Sequence, residues 1–155
     1  MPRTLTVFRI LVASPSDLDE ERRMIEDVIR ELNLSWSQQL GISFELIKWE
    51  THAVPGVATD PQAVIDQQLP PDYDVLLAMF WTRVGTPTPR FPSGTIEEFE
   101  TAYKRWERDR QSVRLMVYFK KQPMSPDQID PGQLKQVHEF RNSLRACFKS
   151  IESRV

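Results

Sequence analysis

Residues 93–98 read Ser-Gly-Thr-Ile-Glu-Glu, and they hold the residue types best placed for chemistry. A glycine and a threonine open a helix, and a carboxylate pair follows within its first turn. The proline-rich stretch 81–92 precedes it. Before that comes the run Asp74-Val-Leu-Leu-Ala-Met-Phe, nearly all apolar, which predicts a buried strand. Carboxylates on a helix start just beyond a strand's carboxyl end stand where open α/β sheets bind ligands.

A wheel at ~100° per residue separates the acids of this helix. Ile96, Phe99, Ala102, Tyr103 and Trp106 define its core face. Glu97 is expected almost opposite, towards water, while Glu98 and Glu100 lie on the flanks, where a side chain can line a cleft. Glu98 is therefore the catalytic candidate and Glu97 the poorest of the three. The plainer alternative is electrostatic: acids in a helix's first turn gain about 0.3–1 kcal/mol each from the macrodipole, with no function required.

Positioning such a site needs a scaffold, and the chain spells one out. Residues 4–13 are β-rich and mostly apolar, as a central parallel strand should be. Ser14-Pro-Ser-Asp breaks that strand, with Ser16 the expected N-cap and Asp19 three residues on. A helix follows with Leu18, Ile25, Val28, Ile29 and Leu32 on one face. Residues 42–49 form a second strand after Gly41. Asp60-Pro61 marks a short helix that ends before Pro70-Pro71. Further elements are a strand at 74–80, a helix at about 95–108 and a strand at 113–119. A last helix starts at Asp130-Pro131, with Leu134, Val137, Leu144, Phe148 and Ile151 on one side. It has no terminating glycine or proline before Val155, so the natural chain is expected to continue.

Strands alternating with helices predict a parallel α/β sheet covered on both faces. The expected form is flavodoxin-like, order 2-1-3-4 with room for a fifth strand, as one domain over residues 1–155. Its switch point falls between strands 1 and 3. Ser14, Pro15 and Ser16 meet Phe80, Trp81, Thr82 and Arg83 there, with Trp49 and Glu50 ending strand 2.

Composition narrows the function classes. The chain has 155 residues, 40% apolar and 27% charged, with 22 acids against 20 bases and a net charge of −2. That balance argues against a nucleic-acid or anionic-membrane binder working through bulk charge. One cysteine, Cys147, excludes an internal disulfide, and no Cys/His cluster has metal-site spacing. No apolar stretch approaches the ~20 residues of a membrane span, and the N-terminus lacks signal-peptide order. The expected location is the cytoplasm.

The remaining candidates each carry two readings. The 14–17 turn invites a phosphate, but Asp17, Asp19, Glu20 and Glu21 would repel one, which favours capping. Arg83 and Arg90 flank the proline-rich loop and suit bidentate phosphate contacts. Arg83 could equally pair with Asp17 or Glu50. Trp81 and Trp49 can stack on a base or nicotinamide ring, or simply pack.

The run Val12-Ala-Ser-Pro-Ser-Asp-Leu-Asp-Glu-Glu-Arg resembles the opening of a TIR-like family found at the N-termini of NACHT-type and other multidomain signalling ATPases. Trp49-Glu50, Asp60-Pro-Gln-Ala-Val-Ile, Trp81-Thr-Arg-Val-Gly-Thr-Pro-Thr, Ser93-Gly-Thr-Ile-Glu-Glu-Phe-Glu and Leu134-Lys-Gln-Val-His-Glu-Phe-Arg extend it over roughly residues 5–150. NAD-cleaving TIR domains carry a glutamate on the corresponding helix, often as Trp-Cys-x-x-Glu-Leu. Nucleoside deoxyribosyltransferases look similar there, with Gly-Thr-x-x-Glu. Both frames fall on Glu98, although the Trp-Cys of the former is missing here.

The resemblance implies N-glycosidic chemistry on NAD as substrate, with no cofactor and no metal. Glu98 would be catalytic, with Ser14, Trp81, Arg83 and Trp49 lining the pocket. It also implies a role in immune or stress signalling, through homotypic assembly or attached C-terminal signalling domains. A non-catalytic docking module of a signalling ATPase is the second reading, and a deoxyribosyltransferase or nucleotide hydrolase the third.

Overall fold

The computed structural model describes residues 2–47 and 72–152, with side chains as far as Cys147. The described elements are β1 (Thr6–Ala13), α1 (Asp19–Leu40), β2 (Ile42–Ile47), β3 (Val75–Phe80), α2 (Gly94–Arg108), β4 (Arg114–Phe119) and α3 (Pro131–Glu152). Trp49, Glu50 and the helix expected from Asp60 lie outside the described residues.

The strands pair in parallel in the order β2-β1-β3-β4, consistent with the flavodoxin-like arrangement read from the sequence. Leu11 sits in register between Ile47 and Leu76, and all three are buried. Asp74 staples the start of β3. Its amide donates to Arg9 O and its carboxylate accepts from Arg9 N, each at 2.8 Å, while its carbonyl accepts from Arg114 N at 2.9 Å.

Alternation sorts the strand residues onto two faces. On one, Leu11, Ala13, Leu76, Ala78 and Phe80 pack against Ile96, Phe99 and Ala102 of α2 and Val137, Phe140 and Leu144 of α3. Phe140, which completes the i, i+3, i+7 stripe with Val137 and Leu144, lies 4.9 Å from Phe80 and 5.2 Å from Phe99, ring to ring. On the other face, Ile10, Val12, Met79 and Leu18 pack with Ile25 and Ile29 of α1. Among the described residues no helix is long and apolar enough to cross a membrane.

Two local expectations are corrected. Ser16 does not cap α1. Residues Ser16–Leu18 form a 3-10 turn with no side-chain cap, and α1 starts at Asp19 behind Leu18. The reason is that Leu18 is drawn into the core, 1% exposed, while Asp17 reaches across to β3. Val28 leaves the core face and is 52% exposed, because α1 lies mainly over β2 and turns that flank outwards.

Gly41 ends α1 in the left-handed region (φ 65°), which glycine adopts without Cβ strain, and its carbonyl accepts from Thr6 N at 2.8 Å. The outer edge of β2 is partly closed by Asn33, which accepts from Phe44 N (2.7 Å) and donates to Phe44 O (2.8 Å). Asn33→Ala reopens that edge. It should cost about 1–2 kcal/mol in urea unfolding, the scale of two modest hydrogen bonds.

Candidate functional site

The carboxyl ends of β1 and β3 are tied together at the switch point. Asp17 Oδ2 accepts from Thr82 N (3.2 Å) and Thr82 Oγ1 (3.1 Å). This clamp uses the carboxylate that sequence offered to Arg83, and no ion pair joins the two. Arg83 is exposed beside it.

The loop that follows is held at several points. Gln133, at the start of α3, accepts from Val84 N (3.0 Å) and Gly85 N (3.1 Å) and donates to Gly85 O (3.2 Å). Gly85 has φ 107°, and a Cβ there would stand 3.6 Å from Ser93 Cβ and 3.8 Å from Pro15 Cβ. The glycine thus lets the loop pass between the 14–17 turn and the start of α2. Thr88 and Phe91 close a tight turn through Thr88 N to Phe91 O and Phe91 N to Thr88 Oγ1, each 3.0 Å. Ser93 then caps α2 by accepting from Ile96 N at 3.1 Å.

This loop overturns the expectation for Glu97. Glu97 is not in water but 2% exposed, and its Oε1 forms an ion pair with Nη2 of Arg90, whose side chain is 62% exposed. The wheel reads direction from the helix alone. What it cannot register is a contact from the preceding loop, here the Arg90 guanidinium on Glu97. Neither carboxylate oxygen of Glu97 accepts a well-formed hydrogen bond; Ser14 Oγ and Asp17 Oδ1 are likewise buried without one. Glu98 is half-buried and has a polar contact of its own.

Trp81 is committed to packing. It lies against the Ile10–Val12–Leu18–Met79 cluster, and its Nε1 donates to Gln122 O at 2.9 Å. Lys120 Nζ stands 4.1 Å above the ring and also pairs with Glu21 of α1. A cavity of about 210 Å³ opens on the α3 side, between Trp81, Met124, His138 and Arg141. It is smaller than the ~300–1,000 Å³ of ordinary ligand pockets, which makes it a poor fit for a dinucleotide.

Lys120 holds the Glu21 carboxyl below its usual pKa by hydrogen bonding. The sign follows: stabilisation is complete above the unfolded value of about 4.3 and lost as pH falls through the lower folded value. Both side chains are partly exposed, so Glu21→Gln should cost no more than about 1 kcal/mol at neutral pH. It should also flatten the acid limb of a stability–pH curve measured by urea unfolding.

The structure thus ties the 14–17 turn to Thr82, between Trp81 and Arg83 in the chain, and sets Gly85 between that turn and the start of α2. Trp49 lies outside the described residues. Sequence reasoning missed the Asp17–Thr82 clamp, the Gln133 anchor and the Arg90–Glu97 pair. All three join residues across loops, and no periodicity signals them. Among the described residues no three His, Cys, Asp or Glu side chains gather as a metal site.

Fold and site together define a parallel α/β domain with an acceptor-rich carboxyl edge. No protein-family model matches the chain, and neither a curated protein nor a solved structure does.

Proposed function

We propose that this domain hydrolyses the N-glycosidic bond between nicotinamide and ribose in NAD or a related nucleotide. The observation that carries the reading is the set of buried acceptors at the sheet's carboxyl edge. Ser14 Oγ and Asp17 Oδ1 lie in the 14–17 turn, beside the start of α2, without hydrogen bonds. Ribose hydroxyls are donors, and a sugar seated there supplies what those oxygens lack.

Glu98, near the start of α2, bears the charge that faces the sugar. Nicotinamide leaves a cationic pyridinium as a neutral base, taking the C1′–N bond pair, so the general acid of an O-glycosidase is not required. The carboxylate stabilises the oxocarbenium-like charge while water adds to C1′ and releases a proton. Covalent capture by the same carboxylate, followed by hydrolysis, gives the same products. Exposed Arg83 is available for the pyrophosphate.

The test is product analysis with two substrate sets. NAD should yield nicotinamide and ADP-ribose while free deoxynucleosides stay intact. Base exchange among deoxynucleosides with NAD untouched would assign the site to a deoxyribosyltransferase. Inertness towards both would leave the interaction-module reading.

A further inference from the structure

The cavity between the end of β4 and α3, about 210 Å³, has no part in the proposed hydrolysis, and every residue that lines it is described. Its walls follow from the sequence. Leu134, His138 and Arg141 recur at i, i+4 and i+7, so α3 turns all three to one side. The loop after β4 contributes Met124 and Ile129, and β4 itself contributes Phe119. Phe119, Met124, Ile129 and Leu134 are each only half-buried, which leaves apolar surface for a ligand to cover.

Charge in the cavity is one-sided. No Asp or Glu lines it, whereas Lys120, His138 and Arg141 do. Lys120 is already committed, because its Nζ pairs with Glu21 and stands 4.1 Å over the Trp81 ring. Arg141 is not. Its guanidinium lies 5.4 Å from the centre of the Phe119 ring, and among the described residues no acid pairs with it. The acids of the surrounding segments are engaged elsewhere. Glu139 pairs with Lys135 at 3.8 Å, Asp127 accepts from Ser125, and Asp130 caps α3. Asp17 holds Thr82. A guanidinium laid on an aromatic ring keeps its edge N–H groups for a planar, bidentate acceptor such as a carboxylate.

Size completes the description. An apolar cavity of about 150 Å³ holds benzene, so this one has room for such a ring and a small polar group. We propose that the cavity binds a small aromatic monocarboxylate, its ring against Phe119, Met124 and Leu134 and its carboxylate on Arg141. This inference stands apart from the proposed hydrolysis: Trp81 and Thr82 border the cavity, but Ser14, Arg83 and Glu98 do not line it.

Benzoate is the probe, titrated into the whole chain and followed by heteronuclear NMR. The Trp81 indole N–H, which donates to Gln122 O in the cavity wall, should shift with a Kd on the order of 1 mM, within reach of so small a ligand. Arg141→Gln should weaken binding at least about tenfold, the scale of losing a charge-assisted hydrogen bond. Arg145→Gln, one turn further along α3, exposed and outside the cavity, should leave it unchanged. Benzamide has the shape without the charge, and inorganic phosphate the charge without the ring. Each should bind at least about tenfold more weakly than benzoate. Matching circular-dichroism melts would confirm that both variants are folded. No benzoate-dependent shift at Trp81 would overturn the proposal. So would benzamide or phosphate binding as tightly as benzoate, or equal losses in the two arginine variants, the mark of a diffuse basic surface.

Discussion

Arg90→Ala should destabilise the domain by about 3–5 kcal/mol, far more than its exposed position suggests. The side chain removed is 62% exposed, but the charge left behind is not: Glu97 is 2% exposed. Removing the guanidinium leaves that carboxylate without its ion-pair partner. Glu97→Gln, by contrast, removes the buried charge and leaves Arg90 where water can reach it, so its cost should stay within about 1–2 kcal/mol. The double variant should resemble Glu97→Gln rather than the sum of the two, a strongly non-additive cycle. Urea unfolding of the three variants measures this. A cost for Arg90→Ala below about 0.5 kcal/mol, ordinary for a surface change, would mean that the ion pair does not support the burial of Glu97.

Glu98→Gln should lower nicotinamide release by about 10²–10³-fold, the scale of losing one preorganised electrostatic contact in a transition state. The substitution preserves size and hydrogen-bonding shape, so the fold should remain intact. The loss should fall on kcat, since the charge it removes matters most when the sugar becomes cationic. Glu97→Gln is not a silent control, because it removes the charge with which Arg90 pairs. Glu107, exposed on the last turns of α2, is the better comparison, and Glu107→Gln should leave the rate unchanged.

The scaffold was legible because it depends on local patterns. The apolar run at 75–80 predicts a buried strand, and Asp130-Pro131 marks a helix start. Asp130 Oδ1 indeed accepts from Gly132 N and Gln133 N, at 2.9 and 3.2 Å. Sheet order followed from alternation and short connections. The site was only partly legible. A wheel reports direction relative to the helix axis, not a contact from the preceding loop, and so it misread the environment of Glu97. Ser16 was misread for a related reason. The pattern of a capping residue was present, but the tertiary demand to bury Leu18 and to tie Asp17 to Thr82 displaced it. Long-range polar contacts such as Gln133 to Gly85 leave no local trace at all.

The central claim is that the edge joining the 14–17 turn, Thr82 and the start of α2 is built to cleave nicotinamide from ribose. The most direct measurement is the time course of nicotinamide release from NAD by the wild-type chain at high protein concentration, beside Glu98→Gln at equal folded concentration. The prediction is release of nicotinamide with matching ADP-ribose, proportional to enzyme and reduced to near background in the variant. NAD left intact by the wild-type chain, or equal release by both proteins, would contradict it.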